Sequence, residues 1–186
     1  MTGNATSKLY LQFKFVFYFI LTFAIIELVN IISNRSLNVF GIYPRELFGL
    51  RGILLSPLLH RDIFHFGANI VTLAIFSWLV LQYGRNKFFA ITLFIVLSSG
   101  LMVWILGRSA MHIGASGLVY GYLGFLFLGG LLAERFKLLF ISLIVTFFYG
   151  GLIFGVFPTR TFVSWESHLF GFITGLVAAK IWAKRR

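Results

Sequence analysis

Gly114-Ala115-Ser116-Gly117-Leu118-Val119-Tyr120-Gly121-Tyr122-Leu123-Gly124-Phe125-Leu126-Phe127-Leu128-Gly129-Gly130-Leu131-Leu132-Ala133 decides how the rest of the chain is read. It carries no charge over a length of roughly 20 residues, which is what a helix needs to cross a bilayer. A serine stands at its mouth, flanked by small residues. The same composition runs through the whole chain of 186 residues, which is 59% hydrophobic and 11% charged. A soluble domain would carry about 25% charge, and a mean hydropathy of +0.94 agrees that lipid is the solvent.

Working outward, the sequence predicts spans at about 13–33, 66–83, 88–106, 115–133, 138–157 and 163–181. Polar breaks separate them: Gly84-Arg85-Asn86-Lys87, Gly107-Arg108-Ser109, Glu134-Arg135-Phe136-Lys137 and Pro158-Thr159-Arg160. The expected fold is an all-α membrane protein, a compact bundle of six transmembrane helices. Residues 1–186 read as one domain with no separate soluble unit, linker or repeat. The first span is too long for a signal peptide and has no small-residue cleavage site, so it reads as a retained span.

Charge sets the expected orientation. An inside N-terminus puts Lys8, Lys14, Arg85, Lys87, Arg135, Lys137, Lys180, Lys184, Arg185 and Arg186 in the cytoplasm. Cytoplasmic loops collect lysine and arginine, so both termini are expected there. The net charge of +11 is dispersed among short connections, which argues against nucleic acid as a partner. The absence of cysteine excludes disulfides and thiolate sites. The segment from Asn34 to Phe64 is too long for a turn and too apolar for a solvated loop. It is expected to lie in the outer membrane interface as short helical turns, a membrane-interfacial first outer loop.

In this orientation the even-numbered spans run from outside to inside. The second opens with His60-Arg61-Asp62-Ile63-Phe64-His65-Phe66-Gly67-Ala68-Asn69, the fourth with Gly114-Ala115-Ser116-Gly117, and the sixth near His168. Three polar clusters thus meet at one depth near the outer face. His65 and Asn69 are four apart and share a helical face, as do Ser116 and Tyr120. Gly117 and Gly121 form one small-xxx-small face, and Gly171 and Gly175 form another beside His168. Such faces let helices approach closely in lipid. The fourth and sixth spans are therefore expected to pack together and to carry the His168 imidazole to the Ser116 hydroxyl.

That pairing implies chemistry. A serine hydroxyl is a weak nucleophile until a base takes its proton. His168 would take it and later protonate the leaving amine. Asn69, His65 and the Ser116 backbone amide are the expected donors to the oxyanion. Glu166, two residues before His168, points to a different face, so a Ser-His dyad is favoured over a triad. Leu118 replaces the second glycine of the soluble G-x-S-x-G elbow. His60 reads equally as a structural hydrogen-bonding residue or a direct participant. His112 reads as a wet loop residue, and Glu27 as either a buried partner or a cavity-facing group. Four histidines without H-E-x-x-H spacing give no reason to expect a metal, and no cofactor is expected.

The sequence resembles the rhomboid family of intramembrane serine proteases. The resemblance rests on His60-x4-His65-x3-Asn69, on Gly114-x-Ser116-Gly117 with Tyr120, and on His168-x2-Gly171-x3-Gly175, in that order on alternate spans. It implies Ser116 as nucleophile, His168 as base, and an oxyanion hole of His65, Asn69 and the Ser116 amide. It implies Tyr120 packed on the histidine ring and a wet site open to the outer face. The implied partners are the lipid bilayer and single-span membrane protein substrates cut near their outer ends. The small size and the lysine-rich cytoplasmic ends fit a prokaryotic inner membrane. One departure is visible. Where many members carry Trp-Arg in the first outer loop, this chain reads Tyr43-Pro44-Arg45-Glu46 and Gly49-Leu50-Arg51-Gly52. Two other classes compete: a catalytically silent relative that binds and escorts helices, and a small transporter. Both catalytic residues are present, against the first. No paired halves are visible, against the second.

Overall fold

A chain in lipid must satisfy its backbone hydrogen bonds internally, and long apolar helices do so. The computed structural model describes residues 3–158 and 164–184. Its long helices are α1 (Gly3–Ile32), α3 (Ile63–Leu81), α4 (Arg85–Leu106), α5 (Ser116–Leu132), α6 (Phe136–Tyr149) and α7 (Trp165–Trp182), with α2 (Gly52–Leu55) a single turn. No strand occurs among the described residues beyond one bridge between Ile42 and His112. Among the described residues, four helical stretches are long and apolar enough to cross a membrane: Thr6–Ile32, Ile63–Leu81, Arg85–Leu106 and Phe136–Val156. Ser116–Leu132 is apolar but shorter.

Several boundaries differ from the sequence reading. α1 begins ten residues before the predicted 13, and α3 and α4 each begin three residues early. Asp62 explains the start of α3. Its carboxylate accepts the His65 amide at 2.8 Å, an N-cap bond that the apolar pattern does not register. The predicted span at 138–157 is α-helical only to Tyr149 and continues as a 3-10 segment from Gly150 to Val156. Thr159 and Arg160, the predicted start at 163, and Arg185 and Arg186 lie outside the described residues.

α5 is the centre of the bundle. Leu118, Val119, Tyr122, Leu123, Phe125 and Leu126 are buried around its whole circumference, as expected of a helix apolar on every side. α7 runs against it with backbones in contact. A Cβ on Gly171 would meet the Gly117 carbonyl, one on Gly175 the Gly121 carbonyl, and one on Gly124 the Phe172 carbonyl. α1 sits on α3, with Phe13 stacked on Trp78 at 5.8 Å. Lys87 at the start of α4 donates to the Trp182 carbonyl at 2.6 Å, tying that end to α7.

The segment between α1 and α3 folds into short helical turns at Ser36–Phe40, Leu47–Arg51, Gly52–Leu55 and Ser56–Leu58. It is fastened to the C-terminal end of α4. The Arg45 guanidinium donates to the Gly107 carbonyl at 2.7 Å, and the Trp104 indole donates to the Glu46 carbonyl at 2.9 Å. Ile42 and Leu59 are covered by protein, whereas Leu47, Phe48 and Leu54 stay exposed.

Candidate active site

A cavity of about 760 Å³ opens beside the start of α5. Ser116, Tyr120, His168, His65 and Asn69 all line it, with Ser164, Leu152 and Met111. The sequence-predicted residues from three helices therefore share one space. The Ser116 hydroxyl makes no hydrogen bond among the described residues and sits free in this cavity. Unliganded sites are often loose in this way and tighten on substrate.

The local chain explains the serine's position. Gly114 has φ +119°, a conformation that side chains rarely adopt, and an added Cβ would lie 2.8 Å from His65 Nε2. Only glycine lets the chain turn there with the imidazole against it. The turn delivers Ser116 as the first residue of α5, where its amide has no intrahelical acceptor. The two amides before it are occupied. Gly114 N–H donates to the Ser56 carbonyl at 2.9 Å, and Ala115 N–H donates to His60 Nε2 at 3.3 Å.

His168 is held on two sides. Its ring stacks on Tyr120 with centroids 4.1 Å apart and planes 4° from parallel. Its Nδ1 lies 2.9 Å from the Gly155 carbonyl. A carbonyl only accepts, so Nδ1 carries the proton and Nε2 keeps the lone pair that a base needs. His65 has the same tautomer logic. Its Nδ1 accepts the Arg61 amide at 3.4 Å, leaving the proton on Nε2, the edge that faces Gly114. Asn69 uses one amide hydrogen on the His65 carbonyl at 2.8 Å and keeps a second.

Other expectations change. His112 is not a wet loop residue. It is 2% exposed, with Nδ1 at 2.6 Å from the Ser164 hydroxyl and Nε2 at 3.1 Å from the Arg108 carbonyl. Burial lowers its pKa and keeps it neutral. Glu166 is buried and faces Arg108, whose guanidinium lies 3.6 Å away; it does not line the cavity. Glu27 is a buried partner: Arg35 donates to it at 2.6 Å. His60 is fully buried and makes its bond to the Ala115 amide rather than facing the cavity. Sequence reasoning missed the Gly155 carbonyl, because a backbone acceptor has no residue signature. It also missed Gly124, whose spacing from Gly121 is three rather than four.

Known proteins are similar to this chain over most of its length. The Rhomboid domain profile matches residues 47–185. An uncharacterized protein of Mycobacterium tuberculosis and one of Mycobacterium bovis are each 37% identical over 173 residues, covering 86% of this chain and 72% of theirs. An uncharacterized protein of Mycobacterium leprae is 34% identical over 164 residues, covering 83% of this chain and 65% of its own.

Proposed function

The chain belongs to the rhomboid family and is an integral membrane protein, and from that membership we propose that it is an intramembrane serine endopeptidase working through a Ser116–His168 dyad. The observation that carries this reading is the His168 environment. Stacking on Tyr120 and the bond from Nδ1 to the Gly155 carbonyl leave a lone pair on Nε2, in the cavity that also holds the free Ser116 hydroxyl.

Ser116 Oγ attacks the carbonyl carbon of the scissile peptide bond, and its proton passes to His168 Nε2. The carbonyl oxygen becomes an oxyanion and meets the Ser116 amide, the second Asn69 amide hydrogen and His65 Nε2–H. The dipole of α5 adds partial positive charge at the same point. The C–N bond then breaks as His168 returns the proton to the leaving amine, and an acyl-Ser116 ester remains. Water, deprotonated by His168, releases the second product. Gly155 takes the orienting place that a triad gives to a carboxylate, consistent with Glu166 facing Arg108 instead.

In this reading the substrates are single-span membrane proteins cut near their outer ends. The chain crosses the bilayer six times, with both termini in the cytoplasm of a prokaryotic cell. The exposed Leu47, Phe48 and Leu54 rest in the outer interface. Purified protein in detergent is expected to cleave a single-span model substrate without added metal or nucleotide. Ser116→Ala and His168→Ala each abolish cleavage while the fold persists; full activity in both variants would overturn the dyad. Substrate binding without any cleavage by the wild type would support the silent, helix-escorting reading.

A further inference from the structure

Two buried polar groups face each other away from the cavity. Glu27 Oε2 and His60 Nδ1 have no hydrogen-bond partner among the described residues, and they lie 3.7 Å apart. Glu27 is 2% exposed and His60 0%. An unsatisfied buried donor or acceptor is costly, so two orphans at this separation are each other's natural partners.

The rest of His60 settles which atom donates. Its Nε2 accepts the Ala115 amide at 3.3 Å, so in the neutral ring the proton must sit on Nδ1, the edge turned to Glu27. Burial pushes the His60 pKa down to about 3, which keeps the ring neutral and Nε2 able to accept. The groups around it are clamped. Arg35 donates to Glu27 Oε1 at 2.6 Å and to the His60 carbonyl at 3.0 Å. Asn38 donates to the same carbonyl at 3.2 Å and accepts from Asn30 at 2.9 Å. A cluster spanning α1, the outer segment and the start of α5 thus converges on one backbone amide, next to Ser116.

We propose that Glu27 is a positioning residue for Ser116: through His60 it fixes the Ala115 amide, and so the direction in which the following peptide presents the serine. This rests on the reading of Ser116 as nucleophile. The carboxylate accepts from His60 Nδ1, His60 Nε2 accepts from Ala115, and the Gly114 amide is held by Ser56. Two consecutive peptides are anchored, and the Ser116 amide is the next one along, left open to the cavity. The Leu58 carbonyl also favours a proton on the His60 ring.

The test uses the full chain in detergent with nitrogen-15 histidine, and assigns His60 by its loss in His60→Gln. The wild-type spectrum is expected to show His60 with Nδ1 protonated and Nε2 bare. Glu27→Gln presents one acceptor where the carboxylate gave two. It cannot serve Arg35 and His60 together, and should move the His60 signals towards the other tautomer. In Glu27→Ala and Glu27→Gln, fluorophosphonate labelling of Ser116 should slow roughly tenfold, the scale of one lost buried hydrogen bond. In both variants kcat should fall with KM unchanged. A wild-type His60 protonated on Nε2 overturns the proposal, even if neither variant folds. Folded Glu27→Ala that labels at the wild-type rate overturns it too, and assigns the job to Leu58. Wild-type protein that never reacts with the fluorophosphonate overturns the protease reading instead, while the spectrum still decides the link between Glu27 and His60.

Discussion

Of the helices packed on α5, α7 and α6 are held differently. α7 touches it backbone to backbone, with Gly171 and Gly175 laid on the carbonyls of Gly117 and Gly121. α6 comes as close only near its start, where a Cβ on Gly130 would meet the Leu138 carbonyl; it presents Phe140, Leu143, Phe147 and Phe148 outward, and its continuation has open space around Gly150 and Gly151. Yet that continuation supplies the Gly155 carbonyl that orients His168. The proposed nucleophile and base thus sit on a close-packed pair of helices, while the carbonyl that sets the His168 tautomer sits on a segment that is open at its start and enclosed at Gly155. Packing that tolerates no added atom fixes the distance between the reacting groups. The open space is confined to the start of the 3-10 segment, because at Gly155 an added Cβ would meet the Tyr120 hydroxyl.

The contrast breaks first at the tight interface. Gly175→Val forces side-chain atoms into the Gly121 backbone, and overpacking of this kind costs about 3 kcal/mol. The expected outcome is a lower thermal midpoint in detergent and loss of cleavage. An unchanged midpoint would show that α5 and α7 are not in backbone contact. Asn69→Ala probes the site that this interface supports. Loss of one oxyanion donor raises the barrier by on the order of 3 kcal/mol, so kcat should fall about a hundredfold with little change in the midpoint.

A smaller, graded effect is expected from acid. His60 and His112 are both held neutral by burial, so below about pH 6.5 the unfolded chain binds protons that the folded chain refuses. Asp62, whose pKa is lowered by its bond from the His65 amide, acts in the same direction only below about pH 4. Stability should therefore decline as pH falls from 6.5, as read from thermal midpoints between pH 7.5 and 5. A flat profile would mean that these histidines are not buried. The smallest effect belongs to the loose region. Gly150→Ala and Gly151→Ala meet nothing within 4 Å and should leave both midpoint and activity close to wild type.

Much of this was legible in the sequence because it is periodic. Residues three and four apart share a helical face, and this spacing alone predicted that the glycines of 117–121 and 171–175 would meet. It also grouped His65 with Asn69 and Ser116 with Tyr120. What stayed hidden is not periodic. The Gly155 carbonyl belongs to a 3-10 segment that the apolar pattern read as more α-helix. His112 lies in a short connection whose length suggests water, but Ser164 and Arg108 close over it. Glu27 and His60 are separated by most of the segment between α1 and α3, and no local pattern links them. Asp62 moved a helix start by a hydrogen bond rather than by hydropathy.

Labelling with a serine-directed fluorophosphonate, followed by mapping of the modified peptide, tests the central claim most directly. The account predicts a single adduct on Ser116 in the wild type and none in Ser116→Ala or His168→Ala, with all three proteins folded. Labelling of His168→Ala at the wild-type rate, or an adduct on a different residue, would contradict it.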